Sequence, residues 1–479
     1  MAIYTYPSPR SPGYQKPTSV GDCLPQARTM AKKTFGRGAL GPVKRADQIL
    51  IVTYPDQDKY VQGALTQALE EEGAEKVDFI NEHELIGKEP ISRSVENGWG
   101  EADRMAKATP GLAVLPHLKE AGEGVRKYLD KHPEYTGVFM GQGGRSHVLL
   151  ALGHHEKKFR NNWVFNNWEE FVSKSWAYPD ELWREIERPV IEALGKACRV
   201  RITDPEGTYL EYPLTEEEAL KFQKCAWLPG HLFLDPLQAT SIECCNVTWP
   251  YASKVVPPVF HDLNGVLAGT ANHFGFLPRI ELYFEHARLV EVKGGGKYGD
   301  LIREMMDKYK DAHWPGYPDK GFFWFCDSAL CTVVKAFRRT SDMFNSYWPS
   351  PNTPERNRAG IFHHGFGSRR HFEDQFDKYA KEHNLPHSHI HIHNYFSTYE
   401  IKLRDTGHWL KVTDKGHLTT LDDPKIRTLA VKYGDPDELL SVEWEPPIPG
   451  INCEGDYFKD YAPDPMAYLK KRMKENKQI

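Results

Sequence analysis

Histidine occupies every second position in the segment 386–393, which is Pro-His-Ser-His-Ile-His-Ile-His. Successive side chains of a β-strand point to opposite faces, so this alternation predicts a strand with four imidazoles on one face and two isoleucines on the other. Side chains on one face lie about 7 Å apart along the strand, so two imidazoles can lean onto one ion. Imidazole suits Fe, Zn, Cu or Ni. We therefore predict a metal site on this strand; the alternative is a polar face of unligated histidines at a subunit interface.

A second pair of histidines, His363 and His364, lies shortly upstream in the apolar, glycine-flanked segment Ile-Phe-His-His-Gly-Phe-Gly at 361–367. If this segment and the histidine-rich segment are adjacent strands, one member of the pair aims at the same point as His391 and His393. Three neutral nitrogens on one side of an ion leave open positions for O2 or water. Histidine-only ligation also leaves a ferrous site dipositive, so that it can accept two anionic oxygens from a substrate.

The N-terminal part of the chain shows the succession strand, helix, strand. The apolar run 48–53 predicts a buried strand, residues 60–73 carry apolar side chains at helical spacing, and residues 76–80 predict a second strand. A further strand is predicted at 137–140. This succession is typical of a parallel sheet with flanking helices.

Composition changes along the chain suggest three parts. Five prolines predict that residues 1–40 form an extended arm without regular helix. We assign residues 41–215 to an N-terminal α/β domain with a parallel sheet. Residues 216–479, which have shorter predicted strands and more proline, glycine and aromatic residues, form a C-terminal metal-binding catalytic α/β domain. Within it, the alternating runs at 280–292 predict a hairpin.

Charge and cysteine content narrow the function classes. The 479 residues include 61 Lys+Arg and 66 Asp+Glu, a net charge of -5, which argues against a general nucleic-acid binder. No stretch approaches about 20 consecutive apolar residues, so no membrane span is expected, and the N-terminus has no apolar secretory core. We expect a cytoplasmic protein. The eight cysteines form no CxxC pair, which disfavours a thiolate zinc site.

Five segments resemble the thermophilic aminopeptidase (aminopeptidase T/S-type) superfamily, which includes Fe(II) dioxygenases of the 2,5-dihydroxypyridine 5,6-dioxygenase type. These segments are 49–53, 200–208, 264–267, 288–295 and 363–367. The resemblance extends from about residue 45 to about residue 420. It implies an N-terminal α/β domain, a C-terminal α/β domain that carries the metal, and a homo-oligomer.

The resemblance also assigns ligands. The metal histidine of the family's H-x-G-F-G motif falls on His363, and the later H-x-D pair of the dioxygenase falls on His391 and His393. An imidazole therefore stands here where the family has a carboxylate ligand. The aminopeptidases hold two metals through extra glutamates and a tyrosine shortly after the first histidine. The segment 365–370 has no tyrosine and the carboxylate-rich set is not visible, which disfavours a peptidase.

Our leading hypothesis is a mononuclear non-haem Fe(II) dioxygenase that cleaves the ring of a hydroxylated aromatic or N-heteroaromatic compound with O2. In this hypothesis His363, His391 and His393 hold the iron. The second hypothesis is a Zn- or Mn-dependent hydrolase of an amide or ring C–N bond. A third is a non-catalytic oligomeric scaffold with the histidine strand at an interface.

Other residues are candidates for supporting roles. We expect a catalytic base to be His273, His364 or Glu243, because each can take a phenolic proton beside the metal. His273 has the alternative of being a hydrogen-bonded core histidine. Arg369 or Arg370 can pair with an anionic group on the substrate. The expected partners are a small aromatic substrate, O2 and further copies of the chain.

Overall fold

The structure is a computed structural model, and it describes residues 4–34, 38–55, 57–89, 99–107, 116–140, 152–162, 168–225, 231–233, 262–337, 339–344, 352, 355, 357–368 and 374–476. The predicted base Glu243 and the predicted substrate-binding residues Arg369 and Arg370 lie outside the described residues.

Helices and strands alternate irregularly along the described chain. The helices are α1 (Val20–Lys32), α2 (Lys59–Glu71), α3 (Glu82–Ile86), α4 (Trp99–Ala106), α5 (Pro116–Lys131), α6 (Trp168–Val172), α7 (Asp180–Leu194), α8 (Glu216–Cys225), α9 (Gly296–Lys308), α10 (Asp374–Glu382), α11 (Pro424–Ala430), α12 (Pro436–Leu439) and α13 (Pro465–Asn476). Short 3₁₀ turns span Gly153–Lys158, Thr340–Met343 and Thr419–Asp422, and a π turn spans Tyr457–Tyr461.

The strands supply two separate sheets. They are β1 (Gln48–Thr53), β2 (Lys76–Asn81), β3 (Gly137–Met140), β4 (Phe159–Asn162), β5 (Ala197–Thr203), β6 (Tyr209–Pro213), β7 (His231–Phe233), β8 (Asn264–Ala271), β9 (Phe276–Glu285), β10 (Arg288–Gly294), β11 (Trp324–Cys331), β12 (Phe362–Gly367), β13 (His389–Asn394), β14 (Thr398–Leu403), β15 (Trp409–Asp414) and β16 (His417–Leu418).

The first sheet is parallel and has the order β2-β1-β3-β4 among the described residues. Its central strand β1 is buried on both faces. Ile49 and Ile51 share a core with apolar residues of α1 and α2, whereas Leu50 and Val52 share another with apolar residues of α5. Helices on both faces are what a parallel sheet requires. The predicted strand–helix–strand succession and its parallel sheet are confirmed.

The prediction that residues 1–40 contain no regular helix is wrong, because Val20–Lys32 forms α1 with Pro25 inside it. The carboxylate of Asp22 accepts hydrogen bonds from the backbone N–H groups of the two residues before the helix, which satisfies its start. One face of α1 is buried against α2, and its buried residues are Cys23, Ala27, Met30 and Ala31. This burial offsets the roughly 3 kcal/mol that a proline costs within a helix.

The second sheet is large and antiparallel, with the order β13-β12-β11-β10-β9-β8-β6-β5-β14-β15-β16 and with β7 paired to β11. Strands β9 and β10 form the predicted hairpin. Strands β5 and β6 lie inside the predicted N-terminal domain 41–215, but they pair with β14 and β8 of the large sheet. The change of sheet therefore lies before Ala197, earlier than the predicted boundary. The fold is mixed α/β, as expected.

One end of the large sheet closes on itself. Strand β13 pairs with β12 along its length and also meets β8, through the pair His393 and Ala271. Strands β8, β9, β10, β11, β12 and β13 therefore form a closed antiparallel ring. The closure places the C-terminal end of β8, and the turn that follows it, beside the histidine strand.

Candidate metal centre

The register of β11, β12 and β13 decides which histidines share a face. His363 lies opposite His393, and Gly365 lies opposite both Asp327 on β11 and His391 on β13. Directly opposed residues of antiparallel strands point to the same side. Asp327, His363, His391 and His393 therefore project from one face of the ring. The alternation of histidines gave the correct face for β13, which is a strand as predicted, but it begins at His389, so His387 lies before it and three of the four predicted imidazoles are on the strand.

His364 faces the other way, opposite Ile392. Its ring is fully buried beside Phe362, with the ring centroids 5.8 Å apart, and its Nδ1 lies 2.8 Å from the hydroxyl of Ser328. Burial, and then the charge of His393, lowers the pKa of His364 to about 3. It is thus a neutral core histidine with a hydroxyl partner. The prediction that His364 is a catalytic base beside the metal has no support in this geometry.

His273 enters the cluster from the turn after β8. The side chain of Asn272 accepts hydrogen bonds from the backbone N–H groups of Phe274 and Gly275, which fixes this turn. The ring of His273 stacks on that of His391, with centroids 3.7 Å apart, and its Nδ1 lies 2.7 Å from Nε2 of His393. The predicted base is therefore packed among the predicted ligands.

Three imidazoles converge closely enough to share one ion. Ligand nitrogens of His273, His363 and His391 all lie within 4.8 Å of one another, and the three residues are 7%, 3% and 7% exposed. We call these three residues the histidine centre. A metal–imidazole bond is about 2.0–2.1 Å, so small side-chain rotations suffice to bring the nitrogens onto an ion. The donor chemistry and the burial both fit a divalent transition metal.

His393 takes a different position from the one predicted. The structure groups His273, not His393, with His363 and His391. His393 instead lies behind His273, with its Nε2 2.7 Å from His273 Nδ1, and with its Nδ1 3.6 Å from the carboxylate of Glu355. The hydroxyl of Tyr395 in turn donates a hydrogen bond to Glu355. His393 thus orients a candidate ligand, and a ligand role for it is not supported by this arrangement.

Asp327 lies in the same layer because a glycine leaves room for it. A Cβ atom on Gly365 would come within 2.1 Å of the Asp327 carboxylate and 2.7 Å of the His389 ring. The carboxylate lies 3.2 Å from Nε2 of His389 and 3.7 Å from Nε2 of His363. Burial alone would lower the pKa of His389, but the hydrogen bond and negative charge of Asp327 raise it to about 10. The imidazole of His389 and the buried carboxyl of Asp327 therefore lie at ion-pairing distance beside the histidine centre.

A second carboxylate comes from α4. The two oxygens of Glu101 lie 2.7 Å from Nδ1 of His391 and 2.9 Å from its backbone nitrogen. The hydroxyl of Tyr298 is 3.0 Å from Glu101. Burial raises the pKa of Glu101 to about 7, although the hydrogen bonds from His391 and Tyr298 counteract this rise. The centre is thus surrounded by three buried carboxylates: Glu101, Asp327 and Glu355.

Sequence reasoning missed these three carboxylates. Glu101 and Glu355 occur in segments without a recognisable motif, 290 and 38 positions before the histidines that they approach. Asp327 did carry a signal, because it is an acidic residue inside the apolar strand β11. A charged residue buried in a strand needs a partner, and histidine is one of the few available.

A second group of three potential metal ligands lies near the surface. Nε2 of His154 and Nε2 of His155 lie 3.1 and 2.8 Å from the same oxygen of Asp130. The side chains of Asp130 and His154 are 46% and 70% exposed. We call this group the surface triplet. Two imidazoles that donate to one carboxylate oxygen are an ordinary hydrogen-bonding arrangement, and they need no metal.

No protein-family model and no curated protein matches the sequence. Among solved structures, the chain is similar to 2,5-dihydroxypyridine dioxygenase from Pseudomonas putida KT2440, with a TM-score of 0.47 and 12% identity over 84% of this chain and 98% of that one. It is also similar to wild-type AmpT from Thermus thermophilus, with a TM-score of 0.42 and 15% identity over 84% and 100%. At this identity and TM-score, neither likeness assigns a reaction to this chain.

None of the described helices combines sufficient length with sufficient apolar character to cross a bilayer.

Proposed function

We propose that this chain is a metal-dependent enzyme whose divalent ion is held by His273, His363 and His391. The observation that carries the proposal is the convergence of these three buried imidazoles within 4.8 Å, from two strands and a turn of a closed ring. Each comes from a different part of the chain, so their convergence is a property of the tertiary fold and not of a local repeat.

The reaction that this donor set suits best is O2-dependent cleavage of the ring of a hydroxylated aromatic or N-heteroaromatic compound, with Fe(II) as the metal. Three neutral imidazoles leave the charge of a ferrous ion uncompensated, and the ion then favours anionic substrate oxygens. The resemblance of the 363–367 segment to the dioxygenase motif supports the same reaction. When bound, the metal would orient substrate and O2 and supply the electron transfer.

The chain's own groups prepare the ligands. A carboxylate oxygen of Glu101 lies 2.7 Å from Nδ1 of His391, so Nε2 of that ring would be the nitrogen that binds the ion. The contact between His393 Nε2 and His273 Nδ1 likewise holds the ring of His273, which stacks on that of His391. The near-complete burial of all three ligands excludes bulk water from their side of the centre.

A Zn- or Mn-dependent hydrolase is the second candidate, and the three carboxylates around the centre favour it. Hydrolysis needs a group that takes a proton from water, and a buried carboxylate such as Asp327 suits that role. Asp327 lies 3.7 Å from His363, so it is near the reacting atoms in either reaction.

Metal analysis combined with oxygen uptake distinguishes the candidates. We expect protein purified without added metal to contain stoichiometric iron, and we expect anaerobically Fe(II)-loaded protein to consume O2 with a panel of hydroxylated aromatic and N-heteroaromatic compounds. Stoichiometric zinc with oxygen-independent turnover would instead establish the hydrolase. Failure to bind any divalent metal would leave the oligomeric scaffold.

A further inference from the structure

Glu101 and His391 come from different parts of the fold. Glu101 lies on α4, in the connection between β2 and β3 of the parallel sheet, whereas His391 lies on β13 of the closed ring. The two residues are 290 positions apart, and Glu101 is 1% exposed. The contact therefore links the parallel-sheet part of the molecule to a candidate metal ligand.

The contact also replaces a missing strand partner. In the described residues β13 meets β8 only at His393, so the edge of β13 is open at His391. There the backbone N–H of His391 donates to Glu101, and its carbonyl oxygen lies 2.9 Å from the hydroxyl of Tyr298 on α9. Buried backbone groups need such partners, so Glu101 and Tyr298 satisfy the backbone of β13 where its pairing with β8 stops.

The same carboxylate fixes the side chain of His391. Its other oxygen lies 2.7 Å from Nδ1, so the backbone and the imidazole of one residue are held by one carboxyl group. This two-point contact leaves the ring little freedom to rotate. A carboxylate on the outer nitrogen of a ligating histidine also selects the tautomer that binds metal and increases its basicity.

We propose that Glu101 is a positioning residue, which holds His391 in the orientation and tautomer required for metal binding and so makes metal affinity depend on α4. The inference rests on the metal centre proposed above. It differs from a purely structural role, because it concerns the ligand geometry of an otherwise folded protein. Glu101 is not one of the three residues of the histidine centre.

The test uses Co2+ as the probe on the metal-free full-length chain. The variant Glu101→Gln preserves shape and one acceptor, but it places an NH2 group near a donor of His391. We expect Co2+ affinity to fall by about 10–100-fold, the effect typical of outer partners of metal ligands. We also expect the d–d absorption of bound Co2+, which reports ligand number and geometry, to change at saturation.

Glu187→Gln is the matched control. Glu187 is equally buried and lies on α7, and it accepts a hydrogen bond from Thr332 just after β11 and not from a backbone N–H of a candidate ligand. We expect this control to keep both the affinity and the spectrum of wild type. Tyr298→Phe, which removes only a hydroxyl, provides a milder variant should Glu101→Gln fail to fold; we expect it to lower Co2+ affinity a few-fold.

Each outcome has one meaning. If Co2+ affinity and the d–d spectrum are unchanged in Glu101→Gln, the positioning role is overturned, whereas the proposed metal centre is not. If Glu187→Gln loses as much Co2+ affinity as Glu101→Gln, the effect is a general structural one, and the positioning role is again overturned. If Glu101→Gln does not fold, unchanged affinity in Tyr298→Phe overturns it. Wild type that binds no Co2+ overturns both proposals. If Glu101→Gln loses Co2+ affinity as expected but the Fe(II)-loaded wild type consumes no O2, the positioning role of Glu101 is supported and only the dioxygenase reaction is rejected.

Discussion

The histidine centre and the surface triplet both bring three potential ligands together, yet their surroundings differ. His273, His363 and His391 are buried, and each has a further imidazole or carboxylate within about 4 Å, namely His393, Asp327 and Glu101 in turn. In the surface triplet the imidazoles of His154 and His155 already share one carboxylate oxygen. Proximity of donors therefore does not distinguish the two groups. The difference lies in the layer of residues that orients the donors, which is what metal affinity depends on.

The largest expected effect is on metal affinity, and it distinguishes His363 from His364, its neighbour on β12. His363→Ala removes a ligand of the centre, so we expect metal affinity to fall by more than the roughly 10–100-fold typical of losing an outer partner. His364→Ala, equally buried but on the opposite face, should keep the metal and lose only stability. Metal content after dialysis, measured by atomic emission, checks both. Retention in His363→Ala and loss in His364→Ala would reverse the assignment of faces.

The next prediction tests whether the packing beside the histidine centre requires a glycine at position 365. In Gly365→Ala the new methyl group meets the Asp327 carboxylate and the His389 ring, so we expect a loss of about 1–3 kcal/mol in the free energy of unfolding and weaker metal binding. Gly13→Ala, where a Cβ meets nothing within 4 Å, is the control. Urea denaturation measures the first quantity. A Gly365→Ala protein as stable as its control would show that this layer is loosely packed.

Buried and exposed carboxyls should also respond to pH with opposite signs. Burial, and then the charge of Asp204, raises the pKa of Glu206 from 4.5 to about 8. Between these values the folded chain binds a proton that the unfolded chain releases, so this group's contribution to stability falls as pH rises through that window. Hydrogen bonding to His155, and then the charges of His154 and His155, lowers the pKa of Asp130. Its contribution is present above the ordinary pKa of an aspartate and is lost as pH falls through the folded value.

The variant Glu206→Gln tests whether Glu206 makes stability fall as pH rises. In wild type, the carboxyl group of Glu206 accepts hydrogen bonds from the hydroxyls of Thr270 and Tyr457, at 2.6 and 2.8 Å. Urea midpoints between pH 5 and 8.5 should decline more steeply in wild type than in the variant. Equal slopes would mean that Glu206 does not hold the proton. Asp130→Asn, measured in the same way, should leave the slope over this range unchanged.

The smallest expected effect concerns the surface triplet. The double variant His154→Ala, His155→Ala removes both imidazoles that contact Asp130; Asp130 and His154 are exposed, whereas His155 is buried. Ion pairs between exposed groups contribute little to stability. We expect unchanged metal stoichiometry, with any loss in the free energy of unfolding coming from the packing of His155. A loss of one bound ion per chain would show that proximity alone suffices and would remove the distinction between the two groups.

Local periodicity was sufficient for part of this structure. The alternation of histidines predicted β13 and its ligand-bearing face, and apolar patterns predicted the strands β1, β2 and β3 and the helix α2 of the parallel-sheet part. Both depend on the backbone period alone, which adjacent residues reveal. The helix α1 was not predicted, because proline usually interrupts a helix, whereas here the apolar face that packs on α2 stabilises the helix despite Pro25.

Contacts between elements that are far apart in the chain could not be predicted from the sequence. His273 reaches the centre only because β8 meets β13, and Glu101 reaches it only because α4 packs beside α9. Neither pairing is encoded in a motif near the residue itself. The choice between His363 and His364 likewise needed the register of β12 against β13, because a shift of one residue exchanges the two faces.

The closure of the ring also has a kinetic meaning. His273 and His393 are 120 positions apart, so their contact forms only after a long loop has closed, and such non-local contacts slow folding. A metal that needs His273, His363 and His391 together then binds the completed native state and not its partly folded precursors. Binding of that kind stabilises by mass action, by about 2.7 kcal/mol at 100 times the Kd. Metal added during refolding should therefore stabilise molecules that have already reached the native state and leave the rate of ring closure unchanged.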